Sequence, residues 1–362
     1  MTIYLQAAGT LAVLGTVLAA VLTVANRLFA NYGPCAVTIN DRDPFTIDGG
    51  GKLLDALYGQ RIFIPSACGG QGTCGFCKVK VLEGGGPLLP TETPYLTDDE
   101  IDGNVRLACQ VKVKQDMTVE IRADYLDVQE FKARVKSARM MTRDTREVTL
   151  TLLEPDTIDF RPGQYVQVLV PGKGDPQFRA YSISTPPSRT GEIELLIRLI
   201  PGGLGSTYLH NVQEGDAVTL TGPYGEYEMA PQKDTAIVCV GGGCGMAPMR
   251  SILRHIAETE PDRACWLFFG ARTGADTMYM DDFRALAAGM PNFHVHYALS
   301  EPADDEQWDG ETGFIHESVA RHLGSDGRRQ AFLCGPPMMI EATMKVLREK
   351  GIDDQDIFYD EF

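Results

Sequence analysis

The stretch Ala67-Cys68-Gly69-Gly70-Gln71-Gly72-Thr73-Cys74-Gly75-Phe76-Cys77 sets three cysteines in a glycine-rich loop, and a fourth, Cys109, follows after thirty-one further residues. A structural zinc site usually presents its thiolates as two C-x₂₋₄-C knuckles, and here only Cys74 and Cys77 make one. Three clustered thiolates with a distant fourth is how a chain wraps a [2Fe–2S] cluster, whose sulfides accept backbone N–H bonds. The glycines permit the left-handed angles and the close approach that such wrapping needs. Cys68, Cys74, Cys77 and Cys109 are therefore the expected metal ligands of a one-electron centre.

The residues around this loop alternate in the manner of a small sheet. Ala36 to Asn40 and Pro44 to Asp48 read as a hairpin, Leu53, Leu54 and Leu57 as a short helix, and Lys78 to Val81 and Gln110 to Ile121 as further strands. Two strands, a helix, the cysteine loop and more strands describe a ferredoxin-like β-grasp unit over residues 34–126.

Upstream, the first twenty-six residues carry no charged side chain, and Ile3 to Ala25 are mostly Leu, Val, Ala, Ile and Gly. About 20 such residues suffice to cross the hydrocarbon. A signal peptide would want a basic leading region and a small-residue cleavage site, and neither is present. Residues 1–30 are thus expected to form a retained, single-pass transmembrane helix. Arg27, its one flanking charge, places the C-terminal side in the cytoplasm.

Downstream, six β-like runs (131–141, 146–154, 163–170, 179–184, 192–200 and 217–225) are separated by Pro/Gly turns, with one short helix near Ser206 to Val212. They predict a closed antiparallel barrel over residues 130–230. From Thr235 strands and helices alternate, which predicts a parallel doubly wound α/β domain over residues 231–362. A multidomain chain is what 362 residues allow. The net charge of −16 argues against nucleic acid as a partner. Nine cysteines, an odd count, suggest no disulfide framework and favour a reducing compartment.

Gly241-Gly242-Gly243-Cys244-Gly245-Met246-Ala247-Pro248 follows a hydrophobic strand and opens a helix, so a pyrophosphate could reach backbone amides at the helix's positive end. In the barrel, Arg179-Ala180-Tyr181-Ser182 would present a cation, an aromatic ring and a hydroxyl together, while Gly203-Leu204-Gly205-Ser206-Thr207 starts the helix. Such a set can clamp a diphosphate and lie against a flat ring.

Together these strings resemble the ferredoxin–NADP⁺ reductase superfamily of flavoproteins: R-x-Y-[ST] at Arg179–Ser182, G-G-G-x-G-x-A-P at residues 241–248 and C-G-P-P at Cys334-Gly335-Pro336-Pro337. With an iron–sulfur domain and a hydrophobic N-terminus added, the chain looks most like the F-subunit family of Na⁺-translocating NADH:quinone oxidoreductases. Gly222 to Tyr227, Gly243 to Ser251 and Pro336 to Met339 carry that likeness. One departure is the short Pro171 to Pro176 loop, where that family typically carries a much longer insertion.

The resemblance implies FAD, with Arg179, Tyr181 and Ser182 at the isoalloxazine and Arg198, Gly205, Ser206 and Thr207 near the pyrophosphate. It implies nicotinamide binding at Gly241, Gly242, Gly243 and Gly245, and it puts Cys334 beside the hydride-transfer position. Catalytic roles are thus expected of Cys334, Tyr181 and Ser182. Phe362 could cover the flavin face, or simply fray. Arg272-Thr273-Gly274-Ala275-Asp276 offers one arginine and then an acid, which leans to NADH over NADPH. The function implied is NADH dehydrogenase: a hydride passes to FAD and single electrons to the [2Fe–2S] cluster. From there they reach integral-membrane subunits of a quinone-reducing, Na⁺-translocating complex in a bacterial inner membrane. The alternative is a reductase component serving an oxygenase.

Overall fold

The computed structural model describes residues 32–172, 177–303 and 307–361, together with residues 9, 11–21 and 23 of the N-terminal segment. The described part of that segment is helical and exposed. The expected anchor over residues 1–30 falls largely outside the described residues, and among the described ones no helix is long and apolar enough to cross a membrane. The chain divides into two compact units, residues 1–128 and 129–362.

The first unit has strands β1 (Pro34–Ile39), β2 (Phe45–Asp48), β3 (Lys78–Glu83), β4 (Val105–Leu107) and β5 (Met117–Glu120) in the order β2-β1-β5-β3-β4. Only β1 and β5 run parallel. Helix α1 (Leu53–Gly59) buries Leu53, Leu54 and Leu57 among Val37, Val79, Leu107 and Val119. The stretch read as strand from Gln110 forms one only from Met117. A second short helix, α2 (Asp98–Asp102), starts at a Thr97–Glu100 capping box.

One ion pair in this unit has no exposed atoms on its acidic side. Glu92 is 0% exposed, and its carboxylate accepts from Arg106 Nη2 at 2.6 Å, from Arg106 Nε, and from the backbone N–H groups of Leu107 and Leu89. The remaining Arg106 donors reach the carbonyls of Gly85, Gly86 and Pro87. The pair ties the 85–92 loop to β4, two residues before Cys109.

The second unit begins with β6 (Gln129–Met140), β7 (Thr145–Glu154), β8 (Tyr165–Val170), β9 (Gln177–Ser182), β10 (Glu192–Arg198) and β11 (Ala217–Tyr224), with helix α3 (Leu204–Asn211) between the last two. All pairings are antiparallel, in the order β10-β7-β6-β11-β8-β9. The expected closed barrel is only half closed: past β9 its edges meet at a single bridge, Ile183 to Leu195. Pro186 and Pro187 follow at once, and prolines cannot donate to a continuing ladder.

The rest is a parallel sheet, β12 (Ala236–Gly242), β13 (Cys265–Ala271), β14 (Phe293–Leu299), β15 (Glu311–Thr312), β16 (Arg329–Gly335) and β17 (Ile357–Glu361), ordered β15-β14-β13-β12-β16-β17. Its helices are α4 (Met246–Thr259), α5 (Met280–Gly289), α6 (Ile315–His322) and α7 (Pro337–Glu349). In β12, Ile237 and Cys239 face the cluster that holds Met249, Ile252 and Ile256 of α4. Val238 and Val240 face the other side, with Ile315 and Val319 of α6 and Ile340 and Leu347 of α7. A strand buried on both faces explains its unbroken apolar run. The C-terminal segment, open to fraying on the sequence alone, is a sixth strand paired with β16 as far as residue 361.

Barrel and sheet are joined by buried charge. Arg250 of α4 reaches the Glu194 carboxylate and the Ser184 hydroxyl, at 3.2 Å for the latter, and its guanidinium lies 4.4 Å from the Tyr279 ring centre. Tyr279 in turn donates to Glu147, which also pairs with Arg139 at 2.6 Å. Ser251 donates to the Thr185 carbonyl at 2.6 Å.

Candidate functional site

In the first unit, the glycines of the cysteine loop do what the sequence demands of them. Gly69, Gly70, Gly72 and Gly75 all have φ between +65° and +78°. Lys52, just before α1, donates to the Gly70 carbonyl at 2.9 Å, and Ser66 accepts the Gly70 N–H at 2.9 Å. The sulfurs of Cys68 and Cys74 lie 3.4 Å apart. A thiol hydrogen bond from Cys74 pulls Cys68 down to about 4, and one from Cys77 pulls Cys109 down to about 7, while the two donor thiols are pushed up. The four thiols thus form two adjacent pairs, and none is in a disulfide.

In the second unit, Arg179 and Tyr181 of β9 meet the start of α3. A Cβ at Gly205 would stand 2.5 Å from Tyr181 Oη and 2.8 Å from Arg179 Cγ, so only glycine lets the helix come this close. Tyr181 is largely buried, which pushes its phenol up. Ser182 sits at the end of the same strand, half-buried and opposite Tyr165. The Ser206 hydroxyl is occupied with the Ile200 and Gly203 backbone, holding the turn before α3. Thr207 is exposed on the helix's first turn.

Arg198 is placed differently from those residues. It lines a cleft of about 580 Å³ with Gly242 and Gly243 and pairs with Asp144 at 3.3 Å. The volume falls in the range of small-molecule sites, roughly 300–1,000 Å³. Arg272 and Asp276 line it too, 3.7 Å apart, and Arg143 also pairs with Asp276 at 3.7 Å. Phe314 and Met338, both strongly exposed, stand at the cleft with His316. Asp144, Arg143, Phe314 and Met338 were not legible as site residues, because a hairpin turn and two helix starts carry no local signature of what they will face.

Gly241 pairs with Cys334 across β12 and β16, and Gly243 takes φ +56°. Gly245 packs against the Cys334 backbone: a Cβ there would fall 2.0 Å from the Cys334 carbonyl oxygen. Cys334 is 2% exposed, and burial pushes its thiol well up. Across β17 its partner is Asp360, and Phe362 lies outside the described residues.

Burial raises the Asp360 carboxyl from 3.8 to about 6, opposed by a hydrogen bond from Tyr227. A carboxyl raised on folding costs nothing below its unfolded value and costs increasingly as the pH climbs from 3.8 through 6, to about 3 kcal/mol at neutrality. Asp360→Asn is therefore expected to stabilise the chain by about 1–3 kcal/mol at pH 7.5 and to flatten this part of the stability–pH curve, read by denaturant melts at pH 5 and 7.5. Equal gains at both pH values would contradict it.

Three families match consecutive segments: 2Fe-2S iron-sulfur cluster binding domain at residues 37–114, Oxidoreductase FAD-binding domain at 132–229 and Oxidoreductase NAD-binding domain at 239–345. The F subunit of the Na(+)-translocating NADH-quinone reductase of Neisseria gonorrhoeae is 35% identical over 95% of this chain and 96% of its own length. That of Psychrobacter cryohalolentis is 36% identical over 98% and 96%. The chain belongs to this F-subunit family. Among solved structures, the Amycolatopsis cytochrome P450 reductase GcoB superposes with a TM-score of 0.72 at 30% identity, over 91% of this chain and 98% of its own. The ferredoxin reductase in carbazole 1,9a-dioxygenase gives 0.69 at 29% identity, over 91% and 98%. As a member of the F-subunit family built from these three domains, the chain takes [2Fe–2S], FAD and NADH as cofactors. Its residues suit them: three free thiols in a left-handed glycine loop with that of Cys109 beside them suit the cluster, and the Gly205 cradle against Arg179 and Tyr181 suits a flavin nucleotide.

Proposed function

We propose that this chain is the electron-input component of a quinone-reducing, sodium-translocating membrane complex, taking electrons from NADH and passing them singly to a membrane partner. The observation that carries the reading is one chain holding a thiol quartet, a flavin cradle and a dinucleotide cleft lined from both barrel and sheet. Bound FAD supplies the exchange between two-electron hydride and single-electron chemistry, and the cluster supplies the one-electron exit.

The residues provide binding and orientation. Cys68 with Cys74, and Cys77 with Cys109, would each hold one iron. Arg179, Tyr181 and Ser182 would hold the isoalloxazine, and Gly205 and the amides at Ser206 and Thr207 would face the pyrophosphate at the helix's positive end. Arg198 would serve the flavin pyrophosphate from a position at the mouth of the nicotinamide cleft. Gly241, Gly242, Gly243 and Gly245 would admit the NADH diphosphate, and Cys334 would lie beside the nicotinamide, with Phe362 over the flavin. Arg272 held beside Asp276 supports NADH over its 2′-phosphorylated form, since a 2′-phosphate favours clustered cations and here the arginine is paired with an acid.

Residues 34–126, 130–230 and 231–362 are the corresponding domains, and residues 1–30 the anchor, whose first twenty-six residues are charge-free and whose apolar run is long enough to span. It sets the catalytic domains on the cytoplasmic side of the membrane. Sodium movement belongs to the partners, because a single apolar helix without an intramembrane charge offers no ion path. The test is Cys68→Ala in the full chain: reduction of FAD by NADH should survive while reduction of one-electron acceptor proteins falls at least 100-fold. Loss of both activities would contradict the proposed order.

A further inference from the structure

Cys109 receives a hydrogen bond from outside the thiol quartet. Gln110, the next residue, places Nε2 3.5 Å from Cys109 Sγ. Its orientation is set at the other end, where Thr91 Oγ1 donates to Gln110 Oε1 at 3.0 Å. The Cys109 carbonyl oxygen also lies 3.5 Å from Nε2 and can only accept, so the amide N–H groups belong on the side of Cys109 and its sulfur, which leaves Oε1 to accept from Thr91. The space for this amide is made by Gly72 of the cysteine loop: a Cβ at that position would stand 2.4 Å from Gln110 Nε2. Thr91 is held in turn, because its neighbour Glu92 is locked to Arg106 in the buried ion pair that ties down the 85–92 loop. Three separate segments of the unit therefore converge on one N–H···S contact.

We propose that Gln110 is a positioning residue that sets the reduction potential of the iron–sulfur centre, raising it by donating to Cys109 Sγ, with Thr91 holding the amide in place. This rests on the quartet holding the cluster. Reduction adds one electron, and hence one negative charge, to a centre already ligated by four thiolates; no bond forms or breaks and no proton moves. A donor at a ligand sulfur favours the more negative state, and hydrogen bonds to the sulfurs are among the groups that set these potentials. The effect on function is direction: a higher potential draws electrons onto the cluster and away from the donor side.

The experiment is an EPR-monitored redox titration of the full-length chain carrying its cluster. Gln110→Leu removes the donor, and its midpoint should fall by about 59 mV, a tenfold change in the one-electron equilibrium. Thr91→Val frees the amide without touching it and should shift the midpoint the same way by less. A Gln110→Leu cluster present at wild-type occupancy with an unchanged midpoint overturns the proposal. Where Gln110→Leu lowers occupancy, Thr91→Val decides, and a midpoint equal to wild type overturns it. A wild-type preparation containing no iron overturns the cluster reading and this proposal together, which separates the two failures.

Discussion

Gly245→Ala should lose about 3 kcal/mol or more of stability in the second unit and slow NADH-dependent flavin reduction by roughly 100-fold. Backbone angles are not the cause, since Gly245 has φ −60° and ψ −9°, which alanine adopts freely. The cause is contact. The added methyl would sit 2.0 Å from the Cys334 carbonyl oxygen, 2.5 Å from its carbon and 3.1 Å from the Gly335 nitrogen. All three atoms are backbone of β16, between its partners β12 and β17, so no flexible side chain can yield. The loop must lift away, and the cleft lined by Gly242 and Gly243 deforms with it. Gly243→Ala is the contrast: that glycine faces open space, so the cost reduces to left-handed strain of about 1–2 kcal/mol. Thermal melts and stopped-flow flavin reduction on both variants measure the difference, and equal behaviour would refute the steric account.

Arg106→Ala should destabilise the first unit by about 3–5 kcal/mol, since it strands a buried carboxylate. Glu92 has no exposed surface, and two backbone N–H groups alone would remain to it. The carbonyls of Gly85, Gly86 and Pro87 lose their partner in the same step. For a domain with a margin of about 5–15 kcal/mol this is a large fraction, and cluster retention should fall with it. Replacing both members by apolar residues, Arg106→Met with Glu92→Leu, should recover most of the loss, because a buried pair is worth little over hydrophobic packing of similar volume. Denaturant unfolding followed by circular dichroism supplies the numbers. A single variant as stable as the parent would contradict the assignment.

The sequence carried those features whose cause is local. Left-handed turns need glycine, so the cysteine loop announced itself, and a parallel strand buried on both faces must be a continuous apolar run, so β12 did as well. Helix α2 carried a readable capping box at Thr97–Glu100, a signal hidden among acidic residues. The half-open barrel depended on where Pro186 and Pro187 fall relative to a strand end, and strand ends are the least local of secondary-structure features. What could not be read was pairing at long range. Glu92 and Arg106 are fourteen residues apart, Arg250 and Glu194 fifty-six, and Asp144 and Arg198 fifty-four. No periodicity links such partners, so the charges that hold the site together looked like ordinary surface charge. Arg198 illustrates the point: a resemblance sets it near a pyrophosphate, while its neighbours Asp144, Gly242 and Gly243 put it at the cleft.

The most direct measurement of the relay is a single-turnover mixing of the full-length chain with NADH, following flavin absorbance by stopped flow and the cluster by EPR on freeze-quenched samples. The flavin should bleach first and the cluster signal should then rise, as electrons leave the two-electron carrier one at a time. A cluster that becomes reduced while the flavin is still oxidised, or one that stays oxidised after the flavin has bleached, would contradict it.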